Sequence, residues 1–351
     1  QIDLLGMGGS HMRTAGVDIV YDIADIGVMG FVEILRNLPR FFRLRDYLSN
    51  IMDERQPDVI LLIDYGGFNM ALASVAKKKN IPVVYYICPK AWVWGKWRAK
   101  AIAGWVKKVA AIFPFEAEIY RQAGASVEFV GHPLLDIVHP SMGKAEAYQY
   151  FGADPGRPLL LLLPGSRYQE VESLLELMLA SARKVQEQIP TCQFFLPVAP
   201  TIPLERIESV VRASGVPVVF TRNCTYNLMQ IADCAIAASG TVTLEAALME
   251  LPSVIVYRVK TATYWLIRLV ANVSHVGLPN IVSGKRILPE LIQDEATSAN
   301  VSQAALRLLQ DPAVRQQART DIKQVRINLG QPGAVLRVAR IVLDVAAGGK
   351  V

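Results

Sequence analysis

The sequence predicts an α/β fold with parallel sheets, and three features support this prediction. Short apolar runs alternate with amphipathic helical patterns along the whole chain, as they do in strand–helix–strand units. Some runs, such as the five leucines at 159–163, are apolar throughout, as strands covered by helices on both faces are. At 351 residues the chain has room for two domains of ordinary size.

The first half of the chain is predicted to form one domain, at 1–139. It begins with a short strand at 2–5, a Gly-rich turn and a helix, and a longer helix follows over 31–53. Strands and helices then alternate, with predicted strands at 58–63, 82–87, 108–112 and 127–130 and predicted helices at 68–79, 97–105 and 115–123. The segment from Gly131 to Pro140 is the predicted linker.

The second half repeats the alternation and is predicted to form a domain at 140–330. Its predicted strands lie near 158–163, 192–197, 217–220, 233–237 and 253–257. Its predicted helices lie at 169–188, 203–213, 225–231, 241–249, 297–310 and 312–328. A last helix within 331–351 follows Pro332, and we expect it to cross back onto the first domain.

Hydrophobic content, net charge and the spacing of cysteines and histidines limit the kinds of molecule that the chain is expected to bind. The chain is 52% hydrophobic, yet charges interrupt every run before it reaches the roughly 20 apolar residues of a membrane-spanning helix. The net charge of +6 favours an acidic partner, and because no basic run is interleaved with aromatics, lipid or a phosphorylated sugar is favoured over nucleic acid. The four cysteines and four histidines lack metal-ligand spacing, which predicts free thiols in a reducing cytoplasm and no metal.

A small-residue turn follows the predicted strand of leucines. An elbow between a strand and a helix points free backbone N–H groups and the positive end of the helix dipole at a ligand, and a diphosphate suits both. Gly165 and Ser166 form this turn, and Arg167 adds a guanidinium that can bind a phosphate through two hydrogen bonds. A simple helix cap accounts for the same residues when the turn is taken alone.

A second elbow, Ser239-Gly240-Thr241, follows the strand near 233–237. Glu245 lies one turn inside the next helix, where its carboxylate can accept two hydrogen bonds from the hydroxyls of a ribose; a solvated helix residue is the alternative. Both elbows lie at the carboxyl ends of predicted parallel strands, where such sheets bind their ligands. Together they predict a site for a nucleotide-sugar.

Asp64 ends the predicted strand at 58–63 in the first domain. A carboxylate in this place, facing a cleft between domains, can take a proton from an acceptor hydroxyl, although it could equally cap the helix that follows. Asn69 is expected to orient Asp64 or a sugar hydroxyl. His132 is an alternative base, but a His before Pro in a linker also suits a structural role.

In order along the chain, several motifs resemble those of the lipid-A-disaccharide synthase family. They are Ile63-Asp64 with Phe68-Asn69, Cys88-Pro89-Lys90-Ala91-Trp92-Val93-Trp94, Phe129-Val130-Gly131-His132-Pro133, Leu163-Pro164-Gly165-Ser166-Arg167, Ser239-Gly240-Thr241 with Leu244-Glu245, Tyr257-Arg258 and Leu278-Pro279-Asn280-Ile281. The resemblance covers essentially the whole chain. It implies an inverting glycosyltransferase of the GT-B type, with two Rossmann-like domains facing a cleft.

The resemblance also implies a reaction in lipid A assembly, a step of lipopolysaccharide synthesis in Gram-negative bacteria. The donor would be UDP-2,3-diacylglucosamine and the acceptor 2,3-diacylglucosamine 1-phosphate, giving a β-1,6-linked disaccharide and UDP on the cytoplasmic face of the inner membrane. The family begins with a Gly-rich strand and turn that nothing before Gln1 supplies, so we expect a first βα unit to be lacking here.

The chemistry assigns a role to each predicted site residue. Asp64 is the expected base, and Arg167 with the two elbows stabilises the departing diphosphate, so that neither a metal nor a cofactor is expected. Glu245 is expected to hold the ribose, while Tyr257 and Asn280 approach the donor from neighbouring loops.

An apolar and arginine-rich segment at 26–48 is the predicted contact with an anionic membrane surface and the acyl chains. Its expected contact residues are Val28, Met29, Phe31, Val32, Leu35, Phe41 and Phe42. Packing into the protein core explains the apolar residues equally well. The tryptophans are expected to pack in the core and cleft, namely Trp92, Trp94, Trp97 and Trp105.

Two rival functions share the predicted site. A UDP-N-acetylglucosamine 2-epimerase, or another GT-B enzyme acting on a UDP-sugar, would need the donor site but no acyl-binding face. A non-catalytic protein that binds anionic ligands would have the cleft without the base. Replacing Asp64 separates these functions, because only the transferase loses product while it still binds UDP.

Overall fold

The structure, a computed structural model, describes residues 2–23, 38–91, 95–259 and 274–348. In these ranges every paired strand is parallel to its neighbours, as the sequence predicts. The described strands are β1 Leu5–Gly8, β2 Asp18–Asp22, β3 Ile60–Ile63, β4 Val83–Tyr86, β5 Lys108–Ala111, β6 Val127–Phe129, β7 Leu159–Leu163, β8 Gln193–Pro197, β9 Val218–Thr221, β10 Cys234–Ala238, β11 Ser253–Tyr257 and β12 Glu290–Ile292.

Helices connect these strands. The described helices are α1 Ser10–Thr14, α2 Leu38–Arg55, α3 Gly66–Lys78, α4 Lys96–Trp105, α5 Pro114–Gln122, α6 Leu134–Ile137, α7 Lys144–Phe151, α8 Tyr168–Gln188, α9 Leu204–Ser214, α10 Thr225–Ile231, α11 Thr241–Leu248, α12 Leu278–Ser283, α13 Ser298–Gln310, α14 Pro312–Asn328 and α15 Ala334–Gly348, with a 3₁₀ turn at Gln293–Glu295. The predicted helix at 31–53 falls partly outside the described residues, which resume with α2.

The strands form three sheets. A six-stranded sheet has the order β12-β11-β10-β7-β8-β9, a four-stranded sheet has the order β3-β4-β5-β6, and β1 pairs with β2. The five leucines of β7 lie in the middle of the largest sheet, and none of them is more than 4% exposed. A fully apolar strand suits this place because helices cover both of its faces.

Short elements account for most differences between prediction and structure. The elements that the sequence did not predict are β2, α6, α7, α12 and β12. The first strand spans Leu5–Gly8 rather than the predicted 2–5, so the Gly-rich run belongs partly to a strand. A Cβ on Gly8 would overlap the Met12 side chain, which would have to move to accommodate any larger residue.

The last helix returns to the first half of the chain. Helix α15 packs against β4 and β5, and its Val338 and Ile341 share a buried cluster with Val84 of β4 and Leu244 of α11. The boundaries of the domains drawn from the sequence stay predictions.

The chain segment before α15 packs tightly against the end of β6. The His132 N–H donates to the Leu329 carbonyl at 3.0 Å, and the Arg337 guanidinium donates to the Val130 carbonyl at 2.9 Å. Gly131 between them has φ +79, and a Cβ there would lie 2.9 Å from the Gln331 carbonyl oxygen. Both the backbone conformation and the space therefore require glycine.

We predict that Gly131→Ala destabilises the protein by about 1–3 kcal/mol, because the new methyl group is strained and meets a backbone oxygen. Chemical denaturation of the variant and the wild type measures this difference. The matched control is Gly104→Ala, at an exposed helical position with open space around it, which should stabilise the protein by up to about 1 kcal/mol. Equal stability of Gly131→Ala and wild type would contradict this description of the junction.

Candidate functional site

The first elbow joins β7 to α8 in the form that the sequence predicts. Gly165 has φ +118, and a Cβ there would lie 2.5 Å from a Glu170 carboxylate oxygen. The backbone therefore passes closely over the start of the helix at this point. The Ser166 carbonyl accepts a hydrogen bond of 2.7 Å from Thr201, which holds the turn.

Arg167 lies at the start of α8, where Glu170 pairs with its guanidinium at 3.0 Å. The Glu170 side chain also reaches back to the Arg167 N–H, at 3.4 Å, as the third residue of a helix does in a capping box. The Arg167 side chain is 66% exposed, so an anion can reach it and compete with Glu170. The sequence analysis missed Glu170, although its spacing from the helix start was a usable signal.

The second elbow lies beside the first, because β10 pairs with β7 in the same sheet. The Ser239 hydroxyl donates to the Val276 carbonyl at 3.1 Å, so it fixes the turn. Among the described residues, a Cβ on Gly240 would meet nothing within 4 Å and no side chain caps the start of α11 at Thr241. The first N–H groups of a helix have no partner within it, so this end can receive an anion.

Glu245 lies one turn inside α11 and is half-buried. Burial raises the pKa of its carboxyl, while a hydrogen-bonding interaction with the Tyr226 side chain lowers it. A cavity of about 440 Å³ lies next to Glu245. Its lining residues are Ile137, His139, Ser141, Cys224, Thr225, Tyr226, Asn227 and Glu245.

Asn227 ties this cavity to the segment between the two larger sheets. Its amide oxygen accepts from the Ser141 and Met142 N–H groups at 2.8 and 3.1 Å, and its amide nitrogen donates to the Ser141 hydroxyl at 2.9 Å. The sequence analysis did not select Tyr226 or Asn227, because neither belongs to a recognisable motif.

Tyr257 ends β11 and is half-buried near the first elbow. Burial is the main reason that the pKa of its phenol is raised, and the negative charge of Glu170 adds to the effect. Tyr257 therefore lies close enough to Glu170, at the first elbow, for the charge of that residue to act on its phenol.

Asn280 lies in α12 with its side-chain amide held by the protein itself. It is fully buried, its amide nitrogen donates to the Leu288 carbonyl and the Glu290 carboxylate at 2.9 and 2.8 Å, and its amide oxygen accepts from the Ile287 and Leu288 N–H groups. All four hydrogen-bonding positions of the amide are occupied. Asn280 therefore braces the loop after α12, and its expected approach to the donor stays a prediction.

Asp64 follows β3 with an exposed side chain and a firmly held backbone. It has φ +51, and the next residue, Tyr65, has φ +45. The buried Asn69 amide donates to the Ile63 and Asp64 carbonyls at 3.0 and 2.8 Å, and the Tyr85 hydroxyl donates to the Asp64 carbonyl at 3.0 Å. Two adjacent left-handed residues cost on the order of 1–3 kcal/mol each, and such strain often marks a functional site.

His132, the alternative base, is buried and only 6% exposed. Its Nδ1 atom accepts from the Leu134 N–H at 3.2 Å, and burial lowers the pKa of the imidazole to about 4. These contacts favour the structural role.

Most of the predicted membrane segment lies outside the described residues, including Val28, Met29, Phe31, Val32 and Leu35. Phe41 packs on Tyr65 and Phe68, with ring centroids 6.2 and 6.0 Å apart. Phe42 is 53% exposed. Within the described ranges, no helix is both long and apolar enough to cross a membrane.

Trp97 is 62% exposed, which corrects its expected place in the core or cleft. The guanidinium of the neighbouring Arg98 lies 5.4 Å from its ring centroid. Trp105 packs partly buried against the core of the first domain, as expected, and Trp92 and Trp94 lie outside the described residues.

Comparison with protein families gives one consistent match. A family model described as lipid-A-disaccharide synthetase matches residues 1–345. The lipid-A-disaccharide synthase of Geobacter metallireducens is 43% identical over 343 residues, covering 98% of this chain and 89% of the relative. The lipid-A-disaccharide synthase of Myxococcus xanthus is 37% identical over 351 residues, covering 100% of this chain and 91% of the relative.

Solved structures with low sequence identity share the fold. A UDP-GlcNAc 2-epimerase from Neisseria meningitidis, bound to UDP-GlcNAc, has a TM-score of 0.64 at 11% identity, covering 98% of this chain and 100% of that one. An α,α-trehalose 6-phosphate synthase from Burkholderia multivorans has a TM-score of 0.53 at 12% identity, covering 93% and 79%. These similarities confirm the predicted α/β fold of the GT-B type.

The burial of His132 predicts a pH effect on stability. The unfolded imidazole has the ordinary pKa of 6.5 and the folded one a pKa of about 4, so below pH 6.5 the unfolded state binds more protons. The contribution is complete above pH 6.5 and is lost as the pH falls towards 4, by about 3 kcal/mol in total.

The variant His132→Asn keeps an acceptor for the Leu134 N–H but does not titrate. Urea denaturation between pH 4 and 6.5 should therefore show a smaller loss of stability in this variant than in wild type. His139→Asn, at an exposed position nearby, should keep the wild-type profile. A wild-type profile in His132→Asn would contradict the assignment.

Proposed function

Because the chain belongs to the lipid-A-disaccharide synthase family of glycosyltransferases, we propose that it joins two acylated glucosamines. The donor is UDP-2,3-diacylglucosamine and the acceptor is 2,3-diacylglucosamine 1-phosphate. The products are the β-1,6-linked disaccharide 1-phosphate and UDP. The observation that carries this proposal is the exposed Asp64 carboxylate on a rigidly held backbone. The other large sheet of the same chain has two adjacent elbows that suit a diphosphate.

Asp64 is the proposed general base. Its carboxylate takes the proton of the acceptor 6-hydroxyl while that oxygen forms a bond to the anomeric carbon of the donor. The bond between this carbon and the diphosphate oxygen breaks on the opposite face, and its electron pair leaves with UDP. Attack opposite the leaving group inverts the anomeric centre, which gives the β linkage.

The two elbows are the proposed site of the diphosphate. The N–H groups at the start of α8 and α11 and the exposed Arg167 guanidinium supply positive charge where negative charge develops. Arg167 would exchange its Glu170 partner for a phosphate oxygen. We propose on this basis that transfer proceeds without a metal or another cofactor, so that activity persists when a chelator is present.

Glu245 and the adjacent cavity are the proposed site of the nucleoside. The Glu245 carboxylate can accept hydrogen bonds from both ribose hydroxyls. The cavity of about 440 Å³ is large enough for the base, and Tyr226 and Thr225 line it.

The exposed aromatic residues of α2 and α4, with the arginines beside them, are the proposed contact with an anionic membrane, on the cytoplasmic face of the inner membrane where the acylated substrates lie. Phe42 and Trp97 are exposed on these helices, and Arg45 and Arg98 stack on them. Exposed aromatic rings beside cations suit the boundary between headgroups and acyl chains.

Mass spectrometry of the products tests this function. The chain, mixed with both substrates and a chelator, should form the disaccharide 1-phosphate and UDP. We predict that Asp64→Asn lowers kcat by about 10²- to 10⁴-fold, because the amide cannot accept the proton, while UDP binding is unchanged. The control, Asp344→Asn in an exposed part of α15, should be fully active. Undiminished transfer by Asp64→Asn would overturn the assigned base.

The nucleoside site gives a separate prediction. Glu245→Gln should weaken UDP binding by about ten- to a hundredfold in a calorimetric titration, because hydrogen bonds to a charged acceptor are worth about 1.5–3 kcal/mol. The exposed Glu187→Gln in α8 is the matched control and should bind UDP as wild type does. Unchanged binding in Glu245→Gln would place the ribose elsewhere.

A further inference from the structure

Glu116 is a buried carboxyl for which the proposed reaction gives no role. It lies in the first turn of α5, directly after β5, at the same edge of the four-stranded sheet as Asp64. It is 3% exposed, and its Oε2 atom has no hydrogen-bond partner among the described residues. A buried polar atom without a partner is rare and calls for an explanation.

The loop after β4 separates Glu116 from Asp64. The Tyr120 hydroxyl, one turn along α5 from Glu116, donates to the Pro89 carbonyl at 2.7 Å. On the other side, Pro89 packs so closely on Gly66 that a Cβ there would lie 3.0 Å from the proline ring. Gly66 begins α3, two residues after Asp64. A continuous line of packed atoms thus runs from α5 through Pro89 to the backbone of Asp64.

The groups around Glu116 explain its ionisation. Burial raises the pKa of its carboxyl to about 8, and the backbone of Ile112 and Phe113 and the charge of Lys90 lower it by less. The other titratable neighbours are Cys88, in the loop after β4, and Tyr120, whose pKa values are also raised by burial. At neutral pH the Glu116 carboxyl is therefore mostly protonated and uncharged.

Helix α4 packs against α5, and the charge of its Arg98 acts on Tyr85, whose hydroxyl donates to the Asp64 carbonyl. The charge of Lys90, whose side chain is exposed, acts on the Glu116 carboxyl itself. A negative charge on Glu116 would be poorly compensated and would attract Lys90, moving the loop.

We propose that Glu116 is a positioning residue for the transfer reaction: in its uncharged form it supports the loop Cys88–Ala91, so that Pro89 holds Gly66 and the backbone of Asp64 in place. This inference rests on the proposed function, because the effect is expressed through Asp64. Loss of the proton frees the loop and displaces the base, which lowers kcat without changing the donor site.

A helix cap is the simpler role for Glu116. It is the third residue of α5 after Phe113, the position from which a Glu accepts the N–H of the residue that begins the helix. A cap needs one carboxylate oxygen and works at least as well when charged. It would affect stability, but it would change neither the pH profile of kcat nor the backbone at Asp64.

The test compares Glu116→Gln, Glu116→Ala and wild type. Gln has the shape of the uncharged acid, so Glu116→Gln should keep kcat within about twofold of wild type at neutral pH. Its kcat should also not fall as the pH rises above 8. Wild-type kcat should fall about tenfold per pH unit above pH 8, since the active form is the protonated one. Glu116→Ala should lower kcat more than about tenfold at every pH, with unchanged KM for the donor. Glu118→Gln, exposed on the same helix, is the matched control and should keep the wild-type profile.

Hydrogen exchange of the amides at 64–70 provides a second readout that does not need catalysis. Exchange should be faster in Glu116→Ala than in wild type and unchanged in Glu116→Gln. The inference is overturned if the kcat of Glu116→Gln still falls above pH 8, if this variant is as inactive as Glu116→Ala, or if all variants differ from wild type only in melting temperature. A wild-type chain that makes no disaccharide contradicts the proposed function instead, and the exchange measurement then decides the inference alone.

Discussion

The buried cluster that joins the four-stranded sheet to helices of the second half of the chain is the constraint on which the site depends. Val84 comes from β4, next to the strand of Asp64, and Leu244 from the helix that begins at the second elbow; both lie in one apolar cluster with Val338 of α15. The His132 N–H and the Arg337 guanidinium fix the chain where it passes between the sheets. Burial of this surface stabilises one relation between the proposed base and the proposed donor site.

The proposed site combines exposed charges with buried supports. The side chains of Asp64 and Arg167 are exposed, whereas Asn69 and Tyr85 are buried and donate hydrogen bonds to the Asp64 carbonyl. A buried hydrogen bond is rigid and costly to break, so the backbone is held while the carboxylate stays open to an acceptor. The proposed role of Glu116 extends this principle, because its buried Oε2 atom has no hydrogen-bond partner among the described residues.

Sequence reasoning was most successful where a local pattern decides the structure. The five leucines of β7 can only be a strand buried on both faces, and the glycine at 165 is required by its positive φ and by the closeness of Glu170. The family followed from many motifs in one order, and the comparisons confirm it. These features depend on residues that are near in sequence.

The errors arose where distant residues decide. The sequence alone does not show that the buried Asn280 amide is hydrogen-bonded to Leu288, just before β12, and to Glu290, the first residue of that strand. The exposure of Trp97 follows from how α4 packs on α3, which no local pattern contains. The first strand includes Gly6 and Gly8, which the sequence predicts to lie in a turn. Tertiary packing therefore corrected the roles of individual side chains and left the fold class unchanged.

A crystal structure of this chain with UDP tests the central claim most directly, because it locates the diphosphate. The account predicts phosphate oxygens within about 3 Å of the backbone nitrogens at both elbows, the Arg167 guanidinium turned from Glu170 to a phosphate, and the ribose hydroxyls at Glu245. UDP bound away from the elbows, with Arg167 still paired to Glu170, would contradict it.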